Sequence, residues 1–304
     1  MSVLDELIAL GGPRVAAHAP LGARTTYRVG GTVRAMVTVT NVEDLKELGP
    51  LIWSGERPVV VLGNGSNLLV NDGEVDALGV YLGRQFADLR WHDEGDAVLV
   101  EAGAALDLPV AARRLAADGV VGFEWAVGVP GTFGGALVMN AGGHGSNMAA
   151  SVERVTTWRD GGPRAWHSSD LAFGYRTSAL PAGEAVLSTT LRLRRGDPAI
   201  AQSQVRDIVR WRRAHQPGGA NAGSVFRNPP GAHAGQLIEA AGCRDLRHAS
   251  AVVSDKHANF IVVDPGGRSR DVYELMALVR ERVFATCGVE LESEHRLVGF
   301  GETP

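Results

Sequence analysis

The apolar positions of the first eighty residues fall in short blocks. Pro58-Val59-Val60-Val61-Leu62 is a β-branched run, and Leu68-Leu69-Val70 is a second apolar block. Both have the length and composition of buried strands. Thr26-Tyr27-Arg28-Val29-Gly30-Gly31 and Ala35-Met36-Val37-Thr38-Val39 predict extended segments broken by glycine. The period changes over 41–53, where Val42, Leu45, Leu48 and Leu51-Ile52 recur at helical spacing behind Asn41, a residue suited to cap the first turn.

Alternation returns at Ala97-Val98-Leu99-Val100-Glu101-Ala102. Residues 108–118 predict a helix, with Val110, Ala111, Arg114 and Leu115 at helical spacing and Gly119 ending it. A glycine-rich passage occupies 128–145. Strands are predicted at Val152-Glu153-Arg154-Val155-Thr156-Thr157 and Ala185-Val186-Leu187-Ser188-Thr189-Thr190-Leu191. Gly196-Asp197-Pro198 marks a boundary, followed by a basic amphipathic helix over 199–215. After a loop come a helix (235–241), a strand (Phe260-Ile261-Val262-Val263) and a helix (272–285). The pattern predicts three segments: 1–83, 84–198 and 199–304. It holds no internal repeat, and its glycine stretches carry too many apolar residues to be linkers.

Composition narrows the class. The chain has 304 residues, 45% hydrophobic and 21% charged, which is ordinary for a globular protein of about two to three domains. Lys+Arg (30) nearly balance Asp+Glu (34), so the net charge of −4 argues against nucleic acid or an anionic membrane as partner. The cluster Arg210, Arg212 and Arg213 is too short to change that. No apolar run approaches the roughly 20 residues a membrane span needs. The start, Met1-Ser2-Val3-Leu4-Asp5-Glu6, is acidic and unlike a secretory signal. Two cysteines, Cys243 and Cys287, suggest buried small side chains in a reducing cytoplasm.

The candidate chemistry starts at Gly63-Asn64-Gly65-Ser66-Asn67-Leu68-Leu69, between the two apolar blocks. Two glycines let the backbone turn sharply and approach a ligand with amides turned toward an anion. The stretch fails the dinucleotide fingerprint, because Leu68 stands where a third glycine belongs and no clear helix follows. A phosphate cradle outside a Rossmann unit points to a few flavin folds. The second loop is Val127-Gly128-Val129-Pro130-Gly131-Thr132-Phe133-Gly134-Gly135-Ala136, continued by Met139-Asn140-Ala141-Gly142-Gly143-His144-Gly145. Pro130-Gly131 predicts a turn with positive φ at the glycine. Alone, either loop reads best as a tight turn; together they suit a long, bent ligand carrying a pyrophosphate. His144 amid these glycines reads as a flavin contact or, more simply, as a loop histidine. P-loop, zinc and nucleophile-elbow motifs are absent, so no metal site is expected.

Three further segments carry polar groups. Ser224 lies in Asn221-Ala222-Gly223-Ser224-Val225-Phe226-Arg227-Asn228-Pro229. Arg176 follows an aromatic in Phe173-Gly174-Tyr175-Arg176-Thr177-Ser178. Leu291-Glu292-Ser293-Glu294-His295-Arg296-Leu297-Val298 alternates like a strand, with Glu292, Glu294 and Arg296 on one face. A turn serine, a surface arginine and an exposed charged face explain each one alone.

The ordered motifs resemble the UDP-N-acetylenolpyruvoylglucosamine reductases, from Thr25-Thr26-Tyr27-Arg28-Val29-Gly30-Gly31 through Asp255-Lys256-His257-Ala258-Asn259-Phe260 to Glu294. The likeness is to the shorter subtype, without an extra tyrosine-bearing loop. It implies an α+β fold: a two-part FAD-binding unit of the vanillyl-alcohol-oxidase (PCMH) type plus a C-terminal α/β substrate-binding domain. FAD would be held by Gly63, Asn64, Gly65, Ser66, Asn67, Leu68, Pro130, Gly131, Thr132, Gly134, Gly135, Asn140, Ala141 and Gly142. The bond would be non-covalent, since no cysteine lies near either loop. NADPH and UDP-N-acetylglucosamine enolpyruvate would use one pocket in turn, in a cytoplasmic monomer.

By the same resemblance, hydride goes from FAD N5 to C3 of the substrate. Arg176 and Glu294 hold the carboxylate, and Ser224 protonates C2. Glu294 beside a carboxylate requires a proton on one of them or a bridging cation. Tyr175 would line the flavin or nicotinamide position; Arg227 and Asn228 would reach the uridine diphosphate. Departures from the family pattern are Arg227 for a lysine, Asn64 for a glycine, and the stretches His144-Gly145-Ser146-Asn147 and Cys243-Arg244-Asp245. They bear on ligand affinity more than on chemistry. An oxidase of the same fold would instead turn over with oxygen and show no NADPH preference. A non-catalytic flavin- or nucleotide-sugar-binding protein would bind without turnover.

Overall fold

A computed structural model describes residues 2–159 and 161–301. The chain forms two compact units. The first holds the chain up to 17 with 35–63 and 77–212; the second holds 18–34, 64–76 and the chain from 213 onward. This division differs from the three consecutive segments expected. Two short N-terminal stretches join the C-terminal residues, and most of the helix Pro198–His215 belongs to the first unit.

The first unit is built on sheets with helices packed against them. One sheet runs in the order Val15–Pro20, Thr32–Val39, Glu74–Leu82, Val59–Leu62, with the last two strands parallel; its residues 15–17, 35–39, 59–62 and 77–82 belong to this unit. The other is antiparallel, in the order Gly162–His167, Val152–Arg159, Ala185–Arg195, Ala97–Gly103, Leu89–Glu94. The helix Val42–Ile52 starts where Asn41 Oδ1 accepts from the Asp44 amide at 2.9 Å, and it buries Leu45, Leu48 and Ile52. The helix Leu108–Ala117 forms as predicted but with a rotated face. Leu108, Ala111, Ala112, Leu115 and Ala116 are buried, whereas Val110 is 41% exposed.

The second unit pairs the helix Ser269–Cys287 with the helix Ala234–Ala240 and a three-stranded antiparallel sheet, Arg247–His248, Ala251–Val253 and Ile261–Val263. Val272, Leu275, Met276, Val279 and Val283 recur at helical spacing and join Tyr27, Leu69, Ile238 and Ile261 in one core. No residue of the long helix caps its start; Asp72 does so from afar. Its carboxylate accepts from the Ser269 and Arg270 amides at 3.2 and 3.1 Å. Asp72→Ala leaves those donors unmet and should cost about 1 kcal/mol, read as a lower thermal midpoint. An unchanged midpoint would show that the cap contributes nothing.

Four expectations change. Residues 26–31 are no strand: Arg28 (φ 58°) and Gly30 (φ 106°) turn the chain so that Gly31 meets the 71–73 backbone. A Cβ on Gly31 would lie 1.5 Å from the Gly73 carbonyl oxygen, so only glycine fits. Of 291–298 only Arg296–Val298 is a strand, parallel to Leu68–Val70, because 292–294 pairs instead with the backbone at 225–227. The 128–145 passage contains a helix, Phe133–Val138, anchored by fully buried Phe133 and Leu137 despite its two glycines. The helix Val3–Gly11, capped reciprocally by Ser2 and Asp5, had no predicted counterpart.

Candidate functional site

The candidate residues lie in both units. In the first, Gly63 follows the strand Val59–Leu62, and a Cβ there would stand 2.3 Å from Thr132 Oγ1. The start of the first glycine loop therefore rests against Thr132 of the second loop. Phe133 stacks on Phe123 at 5.4 Å and fixes the second loop from behind. The Phe133 and Gly134 amides are given to the Leu106 and Ala104 carbonyls at 3.0 and 2.9 Å, so this part of the loop offers close backbone approach rather than free donors. The positive-φ residues of the passage are Asn140 (φ 40°), His144 (φ 50°) and Gly145 (φ 86°), not Gly131. Buried Asn140 binds the Gly174 carbonyl (2.8 Å) and the Ala149 amide (3.0 Å). Ala141 donates its amide to the Ala136 carbonyl at 2.8 Å.

That network holds the arginine. Gly174 and Thr177 pair across a tight turn that puts Tyr175 and Arg176 at its corner, with Arg176 in left-handed backbone (φ 57°). An Arg176 terminal nitrogen donates to the Gly142 carbonyl at 3.1 Å, and the guanidinium lies 5.4 Å from the centre of the Tyr175 ring. Tyr175 is 54% exposed. His144 is exposed and meets Trp211 edge-on at 5.1 Å; partial burial of the ring lowers its pKa, with Arg212 adding to the shift.

The second unit holds the remainder of the first loop. Gly65 (φ 60°) closes against Thr25, and its carbonyl accepts from the Thr26 amide at 3.3 Å. Pro130 and Gly135 of the first unit are exposed, and Ser66 here is half-buried. Leu68 opens the strand that lies parallel to Arg296–Val298.

Ser224 follows Gly223 (φ 82°) and is half-buried. Asn259 presents this segment. Its backbone carbonyl takes the Val225 amide at 2.9 Å, and its buried side chain takes the Phe226 amide (2.9 Å) and donates to the Phe226 carbonyl (2.8 Å). On the other side the Glu294 amide donates to the Val225 carbonyl at 2.8 Å, and Phe226 bridges Ser293. The fold thus lays the Ser224 and Glu294 segments side by side. Arg227 sits 3.7 Å from Glu292, and Asn228 Oδ1 accepts from the Ala234 amide at 3.0 Å, at the start of the helix Ala234–Ala240.

Two residues here carried no role in the sequence. Buried Tyr27 and His295 hydrogen-bond each other at 3.1 Å, and His295 reaches Asn67 at 3.1 Å. Burial holds the His295 pKa down at about 4 and pushes the Tyr27 hydroxyl up. Asn259 likewise had only its place in the Asp255–Phe260 motif; no local pattern marks an asparagine that clamps a distant backbone. Among the described residues no cluster of three or more His, Cys, Asp or Glu could hold a metal, and no helix is long and apolar enough to cross a membrane.

Comparison with known proteins agrees with this architecture. The family model for FAD binding domains matches residues 33–162. The model for the C-terminal domain of UDP-N-acetylenolpyruvoylglucosamine reductase matches residues 215–298. The expected fold class, an FAD-binding part joined to a C-terminal part, therefore stands. A UDP-N-acetylenolpyruvoylglucosamine reductase from Granulibacter bethesdensis is 38% identical over 296 residues, 97% of this chain and 94% of that one. One from Rubrobacter xylanophilus is 38% identical over 282 residues, 92% and 94% of the two chains. The crystal structure of the Thermus caldophilus reductase superposes with a TM-score of 0.79 at 35% identity, over 92% of this chain and 97% of that one. With these likenesses running nearly end to end, the chain belongs to the UDP-N-acetylenolpyruvoylglucosamine reductase family.

Proposed function

We propose that the chain reduces UDP-N-acetylglucosamine enolpyruvate to UDP-N-acetylmuramate with electrons from NADPH, in the cytoplasm, as a step in peptidoglycan precursor synthesis. FAD, held without a covalent bond, supplies the hydride carrier between NADPH and C3 of the enolpyruvyl group. The cofactor residues are Gly63 to Leu68, Pro130, Gly131, Thr132, Gly134, Gly135, Asn140, Ala141 and Gly142. The fit is supported by the glycine at 63, whose side-chain space Thr132 already occupies, and by the turn at Gly65. At both positions the protein itself leaves no room for a side chain, so the tight course of the loop depends on glycine. Cys243 and Cys287 lie in neither loop.

Hydride arriving at C3 leaves negative charge on C2 and the adjoining carboxylate. Arg176 offers a planar fork for that carboxylate. Glu294 is assigned to the same carboxylate and polarises it when one proton is shared. Ser224 delivers the proton to C2; an aliphatic hydroxyl is a weak acid, so a water or cationic side chain must assist it. Arg227 and Asn228 take the uridine diphosphate, and Tyr175 lines the flavin or the nicotinamide position. The observation that supports this assignment most is the backbone pairing of the Ser224 segment with the Glu294 segment.

The test is anaerobic mixing with NADPH and then with the enolpyruvyl sugar nucleotide. Loss of flavin absorbance followed by its return is expected. Loss without return would move the substrate elsewhere, and a protein that binds no FAD would end the reading. Gly65→Ala adds a Cβ 2.7 Å from the Thr25 Cα in a left-handed residue. It should raise the FAD dissociation constant about tenfold, as a strain of roughly 1–2 kcal/mol implies. Titration of the apoprotein checks this. Unchanged affinity would take the first loop out of the cofactor site.

A further inference from the structure

We propose that His295 is a positioning residue: the hydrogen-bonded chain Tyr27–His295–Asn67 ties the first glycine loop to the backbone of Glu294, so that a ligand seated on the loop and the placement of the Glu294 carboxylate are set together. The proposal rests on the role given to Glu294 above.

The protonation of this chain follows from its acceptors. Asn67 Nδ2 lies 3.0 Å from the Glu294 carbonyl, which only accepts. The amide orientation is thereby fixed, and Asn67 Oδ1 faces His295 Nδ1 at 3.1 Å. That oxygen needs a donor, so the proton sits on Nδ1. His295 Nε2 is left with its lone pair and accepts from the Tyr27 hydroxyl at 3.1 Å. The rings meet edge to face, 5.6 Å apart.

The chain returns to the loop at both ends. The Asn67 backbone carbonyl also accepts from the Arg296 amide at 3.0 Å, so Asn67 grips the residues on both sides of His295. At the other end the Thr26 amide, beside Tyr27, donates to the Gly65 carbonyl. Residues 65–67 are bracketed by the two arms of one network. His295 is 5% exposed and Tyr27 fully buried, so neither exchanges these bonds for water. An apolar side chain would fill the space without the cost of burying an imidazole. What the imidazole adds is a donor and an acceptor pointing in opposite directions, and that joins two segments.

His295→Phe keeps a ring of similar size and removes both bonds, whereas His295→Gln retains a donor and an acceptor. In the Phe variant the return of flavin absorbance on adding the enolpyruvyl sugar nucleotide should slow at least about tenfold, with kcat carrying the loss, KM within roughly twofold, and bleaching by NADPH within roughly twofold. The FAD dissociation constant should rise several-fold, and Gln should recover much of both losses. Nitrogen-15 spectra of the wild-type holoprotein should show the His295 proton on Nδ1. A Phe variant that melts lower but keeps its rates and FAD affinity has lost only a structural contact and overturns the proposal, as does a proton on Nε2. If the Phe variant does not fold, Tyr27→Phe removes one bond and is read the same way. If the wild type never recovers its absorbance, the functional reading falls; the FAD titration and the tautomer then decide the proposal alone.

Discussion

Ser224→Ala is expected to slow the return of flavin absorbance by about 10²–10³-fold while leaving bleaching by NADPH unchanged. The magnitude is that of one well-placed donor or acid acting only as charge develops. The asymmetry follows from the chemistry, because no proton has to reach a carbon of the sugar nucleotide while NADPH delivers its hydride. The local structure should survive. Asn259 holds Val225 and Phe226 by their backbones, and the left-handed turn belongs to Gly223. The serine side chain is thus not what shapes the segment, and the thermal midpoint should stay within about 1 °C, as for other changes away from the core. Equal slowing of both half-reactions would indicate disturbed flavin binding instead. Full retention of the second would remove Ser224 from the proton's path.

The second large effect is acid destabilisation from a group that has no charge at pH 7. The His295 pKa is about 4, because burial opposes the imidazolium. The unfolded chain takes up its proton near pH 6.5. As pH falls from 6.5 toward 4, the unfolded state gains a proton that the folded state refuses, and stability is lost. At pH 5 the loss is about 2 kcal/mol, and it levels off only below the folded pKa. His257, its pKa also lowered by burial, shifts stability in the same direction. Asp44 acts in a different window. Burial opposes its charge, but bonds from Thr40 and Arg14 outweigh that and bring its pKa to about 2. Its contribution is intact at pH 5 and is lost between about pH 4 and 2. Urea midpoints at pH 7 and pH 5 should therefore fall more in the wild type than in His295→Phe. Parallel falls would place the acid sensitivity in other groups.

The cofactor and substrate residues are legible to very different degrees. The first glycine loop announces itself, because two glycines between apolar strands are a local signal, and the strands Val59–Leu62 and Leu68–Val70 form where the apolar blocks predict. The second loop misleads in detail. Its glycines predict loop, yet burial of Phe133 and Leu137 makes 133–138 a helix. Glu294 misleads more. Alternation predicts a strand with an exposed acidic face, but its amide is drawn to the Val225 carbonyl and its carbonyl to Asn67. The family likeness named Ser224, Arg176 and Glu294; periodicity alone would have left all three as surface residues.

Hydrophobic period, caps and glycine placement are properties of neighbouring residues. The sequence alone therefore determined most helices, the strands around the first loop, and the presence of two glycine loops suited to a phosphate-bearing ligand. Tertiary structure decided what depends on residues far apart in the chain: the turn at 26–31 imposed by contact with 71–73, the rotated face of the helix Leu108–Ala117, and the seating of Gly63 on Thr132. It also decided that Asn67 would meet a carbonyl 227 residues away and that His295 would lie buried between Asn67 and Tyr27. Such pairings arise because a buried polar group must find its partner wherever the packed chain brings one, and no local pattern records where that will be.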